Sequence, residues 1–178
     1  MVGFACLAVA AGRVYAEGEG PFLNTDFGAS FITGQPQGIS VDPGIRFSLM
    51  PGYRVYNDDV FSVSLQLDTG LIWNSYKGSA RGDLYQVPFL AGFEYAFHAG
   101  SVLEPYFGVA GGGNYMQDSG SENDISKTAG AVQAMAGLRF KLSKHAELGV
   151  GYKFLASFPS GVDYLGDHSV SATLVLRF

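Results

Sequence analysis

The sequence predicts an all-β fold, an eight-stranded antiparallel up-and-down transmembrane β-barrel. Three observations carry that prediction. Apolar and polar residues alternate with a period of two along nearly the whole chain after its first twenty residues, the pattern of strands with two unlike faces. Charged residues are only 15% of the 178, while hydrophobic ones are 47%; ordinary soluble domains run near 25% charged. The connections between the alternating runs are long and short in turn, as in a closed meander.

The strands can be taken in order. The first sets Leu23, Thr25, Phe27, Ala29 and Phe31 against Asn24, Asp26, Gly28 and Ser30. In the second, Ile45, Phe47, Leu49, Pro51, Tyr53 and Val55 oppose Arg46, Ser48, Met50, Gly52 and Arg54. The third is the clearest: Phe61, Val63, Leu65, Leu67, Leu71 and Trp73 against Ser62, Ser64, Gln66, Asp68 and Asn74. The fourth alternates from Tyr85 to Phe97 around Gln86, Leu90 and Glu94, and the fifth from Leu103 to Val109 around Glu104 and Tyr106. After residue 128 the apolar parity moves to even numbers. The sixth strand then reads Val132 to Leu142 against Gln133, Met135, Arg139 and Lys141. The seventh reads Ala146 to Phe154 against Glu147 and Lys153, and the eighth Val170 to Phe178 against Ser169, Ser171, Thr173 and Arg177.

Each run is about 10–13 residues, longer than the usual five or six. Tilted near 40–45°, such a strand crosses the roughly 25 Å apolar band of an outer membrane. Long connections are expected over 33–43, 75–83, 117–127 and 157–167, and short ones over 57–59, 98–101 and 143–144. That arrangement puts both termini on the short-turn, periplasmic side.

Charge decides which face points where. The polar face carries Asp26, Arg46, Arg54, Asp68, Glu94, Glu104, Arg139, Lys141, Glu147, Lys153 and Arg177. Each cation facing lipid near the midplane would cost about 2–4 kcal/mol, and several such penalties exceed the roughly 5–15 kcal/mol stability of a whole domain. Turned inward, opposite signs can pair in a narrow lumen. These eleven residues are therefore expected to form a lumen ion-pair network, with the apolar rows outside.

The apolar run from Val2 to Gly12 is too short for a spanning helix, which needs roughly 20 residues. It reads as the core of an export signal, with Val14 and Ala16 as the small residues before the cleavage point. Residues 1–16 are thus expected to be a signal peptide and 17–178 the barrel domain. No Lys or Arg precedes the run, and Arg13 follows it, which departs from the usual signal. A lipid anchor on Cys6 is the rival reading.

The chain ends SVSATLVLRF, with Phe178, Leu176 and Leu174 on one face. An aromatic terminus on an alternating last strand matches the signal read by barrel-assembly machinery. Here the sequence resembles the outer membrane protein beta-barrel domain family, the small OmpA/OmpX-type and opacity-like porin barrels. LYQVPFLAGFEYAF followed by EPYFGVAGGGNY resembles the family's central hairpin, and GLRFKLSKHAELGVGYKF its sixth and seventh strands. The resemblance covers roughly residues 20–178. It implies architecture rather than activity.

Candidates for chemistry are few. An eight-stranded barrel has an interior just wide enough for side chains to fill, so the inward charges read as a plug rather than a diffusion pore. A lipid A deacylase of this architecture would show His-x-Ser, whereas His168 is followed directly by Ser169, on the opposite face. His168 with Asp163 and Asp167 reads as a solvated rim; His98 and His145 sit at short turns on the other side. Asp42, Asp83, Asp118, Glu122, Asp124, Asp163 and Asp167 outnumber Lys77, Arg81 and Lys127 in the long loops. Loop solubility explains them more simply than divalent cations bridging to lipopolysaccharide. Arg81-Gly82-Asp83 is an integrin-like triplet, of a kind that arises easily by chance. Gly111-Gly112-Gly113 precedes no helix, so it is no phosphate cradle and marks close packing or a bend. Tyr53, Tyr85, Tyr95, Tyr115, Tyr152 and Trp73 are expected in aromatic girdles.

The expected protein is thus a monomeric barrel of a bacterial outer membrane, non-catalytic and without cofactor or bound metal. Its partners are outer-membrane lipid, lipopolysaccharide and the barrel-assembly machinery, and its loops serve envelope integrity or adhesion. No peptidoglycan-binding domain is read after Phe178, which sets an OmpA-like tether aside. A net charge of −5 argues against a nucleic-acid partner. Two alternatives remain: a secreted lipocalin-type carrier, although the usual Gly-x-Trp is absent, and a lipid A-modifying barrel enzyme.

Overall fold

The computed structural model describes residues 19–34, 41–76, 82–98, 102–119, 125–160 and 164–178. The expected leader, with Val14 and Ala16, lies outside them. Eight strands follow in chain order: β1 (Gly20–Thr33), β2 (Gly44–Asn57), β3 (Phe61–Ser75), β4 (Asp83–Phe97), β5 (Leu103–Asp118), β6 (Ile125–Lys141), β7 (Ala146–Phe158) and β8 (Leu165–Arg177). Each pairs antiparallel with the next, and β8 returns to pair with β1, so the sheet closes into a barrel. Closure leaves no unpaired edge, which is what a strand protein needs inside lipid.

The pleat separates two populations. Phe27, Leu67 and Phe89 lie 62%, 59% and 62% exposed on the outside, while Arg46 and Arg139 are 1% and 2% exposed on the inside. This reverses the soluble rule and follows from the alternation: one parity of each strand is greasy, the other polar. A smaller apolar set also faces inward, with Met50, Ile72, Leu90 and Leu155 buried among the polar groups.

The strands run 13 to 17 residues, longer than the sequence suggests. Ladder pairing continues past the apolar rows at the loop end, through Ser75↔Asp83 and Asp118↔Ile125. Polar residues there still satisfy their backbone groups by pairing. Asp83 and Asp118, expected in loops, therefore stand at strand ends. Asp167 is displaced further: β8 starts at Leu165, so the parity of Ser169 and Ser171 extends to Asp167 and turns it inward.

At the opposite end the connections are tight and bonded to one another. The Asp58 carboxylate accepts from the amides of Val60 and Phe61, both at 2.8 Å. His98 N donates to Val60 O at 2.8 Å, Lys141 N to Val102 O at 2.9 Å and Arg177 N to His145 O at 2.9 Å. A bulge between Arg54 and Tyr56 leaves Val55 and Tyr56 both exposed. Tyr56 stacks on Phe61 at 5.0 Å, Phe61 on Tyr95 at 4.8 Å and Tyr95 on Phe107 at 5.5 Å, an aromatic belt near the turns. Trp73 stacks on Tyr85 at 6.2 Å near the loops, where Tyr115 and Tyr152 are also exposed.

Candidate functional site

The side chains that alternate inward place every charged group of the lumen on a strand wall, so each finds its partners on a neighbouring strand or on one further round the barrel. Two clusters result. Nearer the loops, Lys153 on β7 lies 2.8 Å from Asp26 on β1 and 2.9 Å from Asp68 on β3. Arg46 on β2 lies 3.6 Å from Asp68 and 3.4 Å from Asp167. Gln133 joins them, accepting from Arg46 at 2.5 Å and donating to Asp68 at 2.7 Å. The Ser30 hydroxyl donates to Asp167.

Nearer the turns, Arg139 on β6 donates to both oxygens of Glu94 on β4, each at 2.5 Å. Its guanidinium lies 3.9 Å from the centroid of the Tyr106 ring. Glu104 on β5, wholly buried, gathers Arg54 at 3.4 Å, Lys141 at 2.9 Å and Arg177 at 3.5 Å. Arg177 also pairs with Glu147. A fourth basic side chain, His98, brings Nδ1 to 3.1 Å from Glu104 and Nε2 to 3.1 Å from Asn57. Burial lowers the His98 pKa, and Lys141 and Arg54 add to that against the pull of Glu104. The backbone amide of Phe61 leads the interactions that lower the Asp58 pKa.

All eleven charged residues singled out from the sequence take part in these two clusters. Asp167 is a twelfth, so six cations and six carboxylates face one another among the described residues. Asp167 reads as a solvated rim when the eighth run is begun at Ser169; the parity of Ser169, continued by two residues, turns it inward. His98 carried no such signal, since its place beside Glu104 depends on how the turns meet.

The solvated rim expected from His168, Asp163 and Asp167 does not hold for Asp167, which is buried. Asp167 and His168 point to opposite faces, and Asp163 lies outside the described residues. His168 instead faces outward, 2.5 Å from the Tyr152 hydroxyl through Nδ1 and 4.7 Å from the Phe154 ring. Among the loop acids, Asp83 accepts from Ser75 Oγ at 2.7 Å, which ties up the carboxylate of the integrin-like triplet. Arg81, Lys77, Glu122 and Asp124 lie outside the described residues. Phe178 is exposed, its amide donating to Pro21 O at 3.1 Å; Leu176 and Leu174 pair with Leu23 and Thr25.

A family model described as outer membrane protein beta-barrel domain matches residues 2–178. The fold is similar to Neisserial surface protein A, with a TM-score of 0.73 at 18% identity over 89% of this chain and 97% of that one. It is also similar to Ail, the attachment invasion locus protein of Yersinia pestis, with a TM-score of 0.61 at 16% identity over 90% and 99%. The outer membrane enzyme PagL is a third, with a TM-score of 0.51 at 17% identity over 88% and 99%. No curated protein matches the sequence.

Proposed function

From the premise that this chain belongs to the outer membrane protein beta-barrel domain family and resides in the outer membrane, we propose a non-catalytic surface protein with a closed lumen. Its loops serve envelope integrity or adhesion. One observation carries this reading: the two-armed Arg139–Glu94 pair, seated on Tyr106, bridges β4 and β6 over β5 and fills that part of the interior with side chains. Eight strands leave little width beyond such side chains. Planar-bilayer recording of the purified protein tests it. Silence supports the plug, and steady ohmic steps in the wild type defeat it.

The outward loops are the part free to meet a partner, and the likeness to an attachment and invasion protein supports adhesion as their use. Bacteria displaying the barrel are expected to bind host-cell surfaces better than bacteria displaying a loop-shortened variant. The acidic loop-end residues reach lipopolysaccharide at the membrane surface. The chain acts as a monomer, is exported by the 1–16 leader, and is folded by assembly machinery reading Phe178, Leu176 and Leu174. His168, paired with Tyr152 away from any inward carboxylate, supports a non-catalytic role. Unchanged lipid A mass on expression is the result this reading expects.

A further inference from the structure

We propose that the middle of the lumen binds one monovalent metal cation, of the sodium or potassium class, between Asp26 and Asp68. The lumen as a whole is balanced, but its halves are not. Near the turns, Arg54, Arg139, Lys141 and Arg177 face Glu94, Glu104 and Glu147. Toward the loops, Arg46 and Lys153 are the cations for three carboxylates, Asp26, Asp68 and Asp167. All five are 3% exposed or less. Counted as formal charges, that half carries one excess negative charge, sealed from solvent, and the turn half one excess positive; a buried charge without a partner in its own half is costly.

The geometry says where the compensation belongs. Asp26 and Asp68 each give one oxygen to the same ammonium, so those oxygens are less than about 6 Å apart. The second oxygen of each, Oδ1, is buried with no hydrogen-bond partner. Asn24 Oδ1 and Gln66 Oε1 are orphaned in the same way, on the next inward positions of the same strands. Asn24 is two residues from Asp26 on β1 and paired with Met50, whose sulfur meets Lys153; Gln66 is two residues from Asp68 on β3. Four unpartnered acceptor oxygens, two of them anionic, are the ligand type a hard cation takes. One positive charge neutralises this half; a divalent ion would overshoot. Among the described residues the loop end carries Asp42, Asp83 and Asp118 against Lys127, a balance that draws cations toward this half.

The full barrel, purified in detergent, is unfolded by heat in sodium, potassium or choline chloride at equal ionic strength. Crystals are soaked in a thallous salt. The midpoint is expected to rise with sodium or potassium concentration by mass action and to stay flat in choline. An anomalous peak is expected beside Asp26 and Asp68. Asp26→Asn, which removes the excess charge and leaves Lys153 on Asp68, is expected to lose both effects while keeping heat-modifiable migration. Gln66→Leu, which changes no charge, is expected to weaken the cation dependence and serves if Asp26→Asn does not fold. Absence of the thallium peak overturns the proposal whatever the midpoints do. So does a peak bound to the rim acids alone.

Discussion

Glu94 and Arg139 sit on strands that are not hydrogen-bonded neighbours, β4 and β6, and meet over the inner face of β5 through two parallel 2.5 Å bonds. The pair thus crosses the space that β5 would otherwise leave open above Tyr106. Removing one partner of a buried pair leaves the other uncompensated, at about 3–5 kcal/mol. Arg139→Ala is expected to lose about that much in urea unfolding and to admit ion steps in bilayers. Replacing both, as Glu94→Leu with Arg139→Met, is expected to restore stability to within about 1–2 kcal/mol of wild type and to stay silent. Equal conductance from both variants would remove the pair from the plug.

Much of the fold was legible because the membrane imposes one rule on every strand. The parity that puts Leu65 outside also puts Gln66 inside, and each strand repeats it. Strand ends were less legible, since backbone pairing continues past the apolar rows into residues such as Asp83 and Asp167 whose side chains resemble loop. Pairings were not legible at all. That Lys153 meets Asp26 and Asp68 follows from strand tilt and stagger, which no local pattern encodes.

Asp167 tests the extended parity directly. It lies 3.4 Å from Arg46 and accepts from Ser30. Arg46 retains Asp68, Gln133 and Ser169 when Asp167 is lost. Asp167→Ala is therefore expected to cost about 1–3 kcal/mol, the scale of an orphaned buried polar group. Asp83→Ala, at the strand end beside Ser75, is expected to cost less than half as much by the same unfolding assay. A solvated Asp167 would make the two equal.

His98 links stability to pH. Its pKa is lowered in the fold, mainly by burial, so the unfolded chain binds the proton more readily. The contribution is complete above the ordinary value of about 6.5 and is lost as pH falls through the folded value. Unfolding midpoints measured between about pH 7.5 and 5 are expected to fall in the wild type. They are expected to fall less in His98→Gln, which does not titrate. Parallel curves would refute the assignment.

Two glycines separate close approach from open space. A Cβ on Gly28 would lie 2.0 Å from Val170 O, whereas one on Gly130 meets nothing within 4 Å. Gly28→Ala forces β1 and β8 apart at the closing seam and is expected to cost more than about 2 kcal/mol, the scale of overpacking. Gly130→Ala is expected to be neutral or to stabilise by up to about 1 kcal/mol, since it restricts the unfolded chain. Refolding yield into lipid vesicles reads both.

The inside-out arrangement itself is tested at neighbouring positions of β3. Leu67 is 59% exposed on the outer face and Gln66 is 4% exposed on the inner one. Leu67 stands at the middle of the strand, beside Ala91 across the β3–β4 ladder, so an arginine there would sit at hydrocarbon depth. Leu67→Arg is expected to cost about 2–4 kcal/mol in unfolding from lipid vesicles. In detergent, where the belt can rearrange around a charge, the loss is expected to shrink. Nitroxides at Phe61, Val63 and Leu65 are expected to meet lipid-soluble quenchers, while those at Ser62 and Ser64 stay shielded. Reversal of that pattern would mean that the ionic groups face hydrocarbon, a state whose cost exceeds any stability the barrel could hold.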